Sequence, residues 1–268
     1  MAGSGDPLRV IVSGTGRMGR EVMAGLAGQA DLRIVGVVDR AVDGETLALP
    51  DGSSVPTGRD LAMLLARAPA DVLIDFTHHD WTERVAPAAV EAGVRPVIGT
   101  TGLSEAFVAR LGKLCDERGI GGVVAANFAL GAVLLMHLCR IAAPFFEYAE
   151  IIELHHEGKV DAPSGTALAT ARAMVAARGR PFAHPEPATQ TLPGTRGGAE
   201  GGVGIHSVRL QGLVAHQEVI FGALGQTLTL RHDTTSRASF IPGVVLAARA
   251  VMQRRSLVVG LEPLLGLT

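Results

Sequence analysis

Leu8-Arg9-Val10-Ile11-Val12-Ser13-Gly14-Thr15-Gly16-Arg17-Met18-Gly19 is the stretch that decides the fold. Its apolar first half predicts a strand that runs directly into Gly-x-Gly-x-x-Gly. Residues 20–27 have helical character, and residues 32–38 predict a second strand ending at Asp39-Arg40. In such a unit Gly14 allows the tight turn, Gly16 lets the backbone approach a pyrophosphate, and Gly19 permits close helix–strand packing. Thr15, Arg17 and Met18 lie in the same loop, beside the free N–H groups of the helix N-terminus. Asp39 is placed to accept hydrogen bonds from an adenosine ribose. Arg40 offers a guanidinium to a 2′-phosphate, although it reads equally well as a solvated loop residue. The pair predicts tolerance of both NADH and NADPH.

The rest of the chain fits that start. Strands at 71–76, 95–98 and 121–126 alternate with helices at 59–68, 81–92 and 105–118, after a loop carrying Gly44, Pro50, Gly52 and Pro56. Repeated strand–helix alternation predicts a Rossmann-like, doubly wound parallel sheet, with ligands at the carboxyl ends of its strands. Phe76-Thr77, Gly99-Thr100-Thr101 and Ala126-Asn127-Phe128 fall at that edge. They suit a nicotinamide and its ribose, and would look the same as plain turn residues.

Beyond Asn127 the pattern changes. A helix over 129–142 leads to an alternating strand over 148–155, a helix over 164–177, a Pro-rich connector over 181–193 and a glycine-rich stretch over 194–204. The glycine-rich stretch reads as a mobile segment or a long hairpin connection. Alternating runs at 205–211, 214–221 and 227–232 predict an antiparallel meander. The fold class expected is therefore α/β, with a second α+β domain for substrate and oligomerisation on an open mixed sheet. The expected domains are 1–127 for the dinucleotide, 128–236 for substrate and assembly, and 237–268 packing back on the first through an apolar helix over 241–252.

Composition narrows the partners. Hydrophobic residues make up 47% of the 268, enough for a substantial core, and a net charge of −2 leaves no basic surplus for nucleic acid. Cys115 and Cys139 sit in separate apolar segments, as reduced core thiols would. No apolar run is long enough to span a bilayer, and residues 1–7 carry no signal-like core. The expected location is the cytoplasm.

Function concentrates in Glu153-Leu-His-His-Glu-Gly-Lys-Val-Asp-Ala-Pro-Ser-Gly-Thr166. A strand end, a titratable loop and a helix start meet here. Continued alternation would set His155 and His156 on opposite faces, so they should not share one role. One can act as a general acid near neutral pH, and Lys159 supplies a fixed positive charge or a second proton. Ser164, Gly165 and Thr166 offer helix N-terminal N–H groups to a substrate carboxylate. Asp161 reads as a brace for the loop or a partner for Lys159. Adjacent histidines without a cysteine cluster argue against a catalytic metal. The substrate inferred is a small anion with a reducible C=N or conjugated C=C bond.

This signature closely resembles that of the 4-hydroxy-tetrahydrodipicolinate reductase (dihydrodipicolinate reductase) family. Gly16-Arg17-Met18-Gly19, Gly99-Thr100-Thr101-Gly102 and Ala126-Asn127-Phe128 match the same family in the same order, over nearly the whole chain. The resemblance implies NAD(P)H-dependent reduction of a cyclic imine dicarboxylate with loss of water, in the diaminopimelate route to lysine. It implies His155 as proton donor/acceptor, Lys159 as second donor, His156, Gly165 and Thr166 as substrate ligands, and a homotetramer built through the second sheet. Two features depart from the pattern: the glycine loop is one residue shorter, and Ala129 stands where serine is usual. Two rival readings are another two-domain NAD(P)-dependent dehydrogenase and a non-catalytic NAD(P)-sensing regulatory protein.

Overall fold

A computed structural model describes residues 6–267. The polar reading of the first five residues lies outside the described residues. The chain forms two compact units: the first runs through Leu130 and resumes at Arg237, and the second is Gly131–Ser236.

In the first unit the elements are β1 (Leu8–Ser13), α1 (Arg17–Ala27), β2 (Leu32–Val38), β3 (Thr46–Ala48), β4 (Ser54–Gly58), α2 (Leu61–Arg67), β5 (Val72–Asp75), α3 (His79–Glu91), β6 (Arg95–Ile98), α4 (Glu105–Arg118) and β7 (Gly122–Val124). Val10, Ile11 and Val12 are consecutive and all buried, as are Val72, Leu73 and Ile74, so both faces of the central strands are covered. Local chemistry sets the helix limits. Asp60 and Ser104 cap α2 and α4 by accepting from the Met63 and Phe107 N–H groups, and Gly119 closes α4 at φ +62°.

The 44–56 segment, expected to be loop, contains β3 and the first part of β4. Thr57 and Gly58 pair in parallel with Val37 and Val38, and β3 returns antiparallel along β4. Pro56 and Gly58 are locally poor strand formers; burial of Val55 and Thr57 and pairing to β2 override that preference.

The second unit holds α5 (Leu130–Ala142, begun at the end of the first unit), β8 (Tyr148–His155), α6 (Gly165–Arg178), β9 (Gly198–Glu200), β10 (Val203–Arg209), β11 (Ala215–Ala223) and β12 (Gln226–Thr234). Its sheet order is β12-β11-β8-β10-β9. The expected meander is therefore corrected: β10 pairs with β8 in parallel rather than with β11, and β8 separates the two. The physical reason lies in the register. Ile151 of β8 pairs with Ile205 on one side and Val219 on the other, so the inward residues of three strands join one layer. Leu135, Cys139, Ala171 and Met174 from α5 and α6 close over that layer. The glycine-rich stretch makes the β9–β10 hairpin, with Gly201 and Gly202 both at positive φ.

Arg237 onward belongs to the first unit. There α7 (Ile241–Ala250) packs on α1, and the space around Ile241 exists because residue 25 is glycine. Finally β13 (Leu257–Val259) pairs in parallel with β7, giving the order β13-β7-β6-β5-β1-β2-β4-β3.

Candidate active site

The glycine loop behaves as its spacing predicts. Gly14 takes φ +104°, reserved in practice for glycine. A Cβ on Gly19 would lie 1.9 Å from the Gly14 carbonyl oxygen, so α1 can approach β1 only without one. Gly16 is exposed, with nothing within 4 Å of a Cβ placed there. Asp39 reaches across from the end of β2: its Oδ2 accepts from Thr15 N–H at 2.7 Å and from the Thr15 hydroxyl at 2.6 Å, while Oδ1 accepts from Ala41 N–H. Burial pushes the Asp39 carboxyl up, but these donors outweigh it and hold the group below the ordinary carboxylate value. Gly14, Thr15, Gly16, Asp39, Arg40 and Thr77 help line one cavity of about 400 Å³. An open backbone at Gly16, a helix N-terminus and an ionised carboxylate fit a dinucleotide.

The carboxyl edge of the sheet is interlocked. Gly99 leaves room for the Phe76 ring, which meets Phe128 edge to face at 5.2 Å between centroids. Phe128 is fully buried and Thr100 nearly so, whereas Thr101 and Ala126 are exposed. The side chains of Phe128 and Thr100 thus pack behind the edge. Asn127 turns back, its Oδ1 accepting from Ala129 N–H at 2.9 Å. The fully buried Asp75 carboxylate accepts from the hydroxyls of Thr77 at 2.8 Å, Thr100 at 2.9 Å and Thr82. Thr100 in turn accepts from Thr77 N–H, so one carboxylate ties the turns after β5 and β6 together.

In the second unit the titratable loop follows β8. His155 is the last residue of the strand, on the face covered by α5 and α6, with its side chain 15% exposed. The strand ends there, so His156 is not its opposite-face neighbour. His156 lies in an exposed turn closed by Lys159 N–H donating to His156 C=O at 3.1 Å. Lys159 Nζ pairs with Asp161 at 2.6 Å. His155 Nδ1 lies 2.5 Å from Glu153 Oε2. Burial pushes the imidazole below its ordinary value; Glu153 pulls it back, and Lys159 and Arg209 push it down again.

Ser164 caps α6: its Oγ accepts from Ala167 N–H, and its own N–H donates to Glu153 Oε1. At 3% exposure, Ser164 has both its hydroxyl and its N–H engaged within the chain. Gly165 and Thr166 follow in the first turn, where N–H groups have no intrahelical acceptor.

The sequence families described as "Dihydrodipicolinate reductase, N-terminus" and "Dihydrodipicolinate reductase, C-terminus" match residues 8–128 and 131–265. This chain belongs to the dihydrodipicolinate reductase family. It is 50% identical over 262 residues to the 4-hydroxy-tetrahydrodipicolinate reductase of Moorella thermoacetica, covering 96% of this chain and 98% of that one. The Geobacillus kaustophilus protein of the same name is 49% identical over 264 residues, covering 96% and 99%. Among solved structures, a dipicolinate-bound dihydrodipicolinate reductase from Paenisporosarcina sp. TG-14 superposes with TM-score 0.86 at 39% identity, covering 96% of this chain and 99% of that chain. An amine dehydrogenase from Mycobacterium smegmatis, TM-score 0.65 at 16% identity, shares the fold.

Family membership leaves two buried carboxylates that sequence reasoning did not single out. Asp75 carries no signal in Val-Leu-Ile-Asp, because its hydroxyl partners come from three separate places in the chain. Glu153 did carry one: a carboxylate at an inward position of an alternating strand must find charged partners. They are Arg209 Nη1 at 2.9 Å and Nη2 at 2.8 Å. Among the described residues, one set of potential metal ligands comes together, His78, His79 and Asp80 at the start of α3, and no predicted site residue belongs to it. A larger cavity of about 530 Å³ in the second unit, walled by Pro163, Gly197, His206 and Ser207, includes neither His155 nor Lys159.

Proposed function

We propose that this chain reduces 4-hydroxy-tetrahydrodipicolinate to tetrahydrodipicolinate with loss of water, drawing on NADH or NADPH, in the diaminopimelate route to lysine. Family membership supports the reaction. The observation that carries the chemistry is His155, held on a buried carboxylate beside Lys159, directly ahead of a helix N-terminus.

The dinucleotide, when bound, supplies the hydride. Gly14, Gly16 and the start of α1 hold its pyrophosphate, Asp39 its ribose hydroxyls, and Arg40 a 2′-phosphate where present. The N–H groups of Gly165 and Thr166, with the His156 side chain, bind a substrate carboxylate. His155 gives and takes the proton that balances hydride addition, in keeping with an imidazole whose neutral form is favoured near pH 7. Lys159 holds a positive charge beside the developing anion and is the second donor. Its pairing with Asp161 fixes the ammonium in the loop. The same reading makes the protein a cytoplasmic homotetramer. The uncovered face of the second sheet, with Ile152 and Ile220 part-exposed, supports assembly there.

The test is NADH and NADPH oxidation, followed by loss of reduced-nicotinamide absorbance, with substrate generated in situ by the preceding synthase. Substrate-dependent oxidation is expected with both cofactors. Folded, nucleotide-binding protein that oxidises neither would overturn the assignment and bring forward the sensor or another dehydrogenase.

A further inference from the structure

We propose that the buried Glu153–Arg209 pair is the positioning element of His155, fixing the imidazole with Nδ1 protonated and reserving Nε2 for proton exchange with substrate. This rests on the reading of His155 as the acid–base group.

The placement follows from the strand. Glu153 and His155 are two residues apart on β8, so their side chains share one face. Glu153 is 0% exposed, and a carboxylate taken out of water must be neutralised or multiply bonded. Both occur. Oε1 accepts from Ser164 N–H at 3.1 Å and Arg209 Nη2 at 2.8 Å, and Oε2 accepts from Arg209 Nη1 at 2.9 Å. Burial pushes this carboxyl up, but bonds from Arg209, Ser207 and His155 hold it below the ordinary range. It is ionised at neutral pH.

An ionised carboxylate only accepts. The hydrogen in the 2.5 Å contact therefore belongs to His155 Nδ1, and the nitrogen left to exchange its proton is Nε2. Arg209 has a second effect. The charged groups facing the imidazole are Glu153 from β8, Lys159 from the following loop and Arg209 from β10. A lone buried carboxylate would lock the proton onto the ring. Paired with a guanidinium, it orients the ring and still lets the proton leave. Arg209 Nη2 also donates to the Asp161 carbonyl at 2.6 Å, so the residue that neutralises Glu153 also braces the loop carrying Lys159.

The first experiment reads the unaltered site: ¹⁵N shifts of the His155 ring in the full-length protein, assigned by loss of the signal in His155→Gln. The expected result at pH 8 is a protonated Nδ1 and an unprotonated Nε2; the opposite tautomer overturns the proposal. The second is Glu153→Gln, checked for folding by circular dichroism. It should lower kcat about 10²-fold with NADPH affinity within about threefold of wild type. The lost carboxylate raised the His155 pKa, so the limb of the pH–rate profile assigned to His155 should move down by about one unit. An unmoved profile overturns the proposal. The acid–base reading fails separately: a fully active His155→Gln sinks it whatever tautomer is found.

Discussion

Alanine placed at Gly19 and, separately, at Gly16 distinguishes packing from ligand approach within one loop. At Gly19 the new methyl carbon would start 1.9 Å from the Gly14 carbonyl oxygen and 2.7 Å from its carbonyl carbon. Van der Waals contact requires opening that gap by more than about 1 Å. Gly14 cannot retreat toward β5, because its own Cβ position is 2.7 Å from Thr77 Cγ2, and Gly19 is buried in α1. Overpacking of this kind costs about 1–3 kcal/mol, offset by at most about 1 kcal/mol of helix propensity. The net loss of about 1–2 kcal/mol lowers Tm by roughly 2–8 °C. At Gly16 the backbone already has φ −70° and open surroundings, so the same methyl should leave stability within about 0.5 kcal/mol. It would stand where a pyrophosphate must come close, and NADPH affinity should fall about tenfold. Thermal melts and NADPH fluorescence titrations read both quantities. Gly16→Ala with wild-type affinity, or Gly19→Ala with wild-type Tm, would refute the reasoning at that position.

Three further outcomes are expected. Asp75→Asn keeps the shape but cannot accept all three hydroxyls as an ion does, so denaturant unfolding should show a loss of about 2 kcal/mol, with weaker NADPH binding because the turns after β5 and β6 loosen. Burial pushes the Cys115 thiol up to about 11 and the Cys139 thiol up to about 12, so neither should react with a disulfide reagent at pH 8 until the chain is unfolded, when both should. The Arg9 guanidinium holds the Asp71 carboxyl below its ordinary value, so the pair stabilises above the unfolded pKa and fades as pH falls. Asp71→Asn should therefore melt below wild type at pH 7, with the gap narrowing below about pH 4.

Some of this was written plainly in the sequence. β1, β2, β6, α4 and β8 have the bounds that periodicity and caps indicate, because each combines a clear apolar period with a sharp stop such as Gly14, Asp39 or Gly119. The glycine loop was legible for the same reason: its residues are constrained by neighbours close in sequence. The order of the second sheet was not. Alternation states which face a residue shows and is silent on which strand lies beside it, so β10 could not be seen to cross to the far side of β8. Ser164 could be seen as a cap but not as a donor to Glu153. Arg209 lies far along the chain, and nothing near it marks it as the partner of a carboxylate on β8.

The discontinuity of the first unit has a consequence for the order in which the protein matures. On the ribosome its opening part emerges first, yet β7 lacks its outer neighbour and α1 lacks α7 until the last residues have been made. Gly131–Ser236, though second in the message, is contiguous and can complete its packing earlier. A chain cut just short of Arg237 should therefore hold a complete second unit tethered to a first unit with one raw sheet edge.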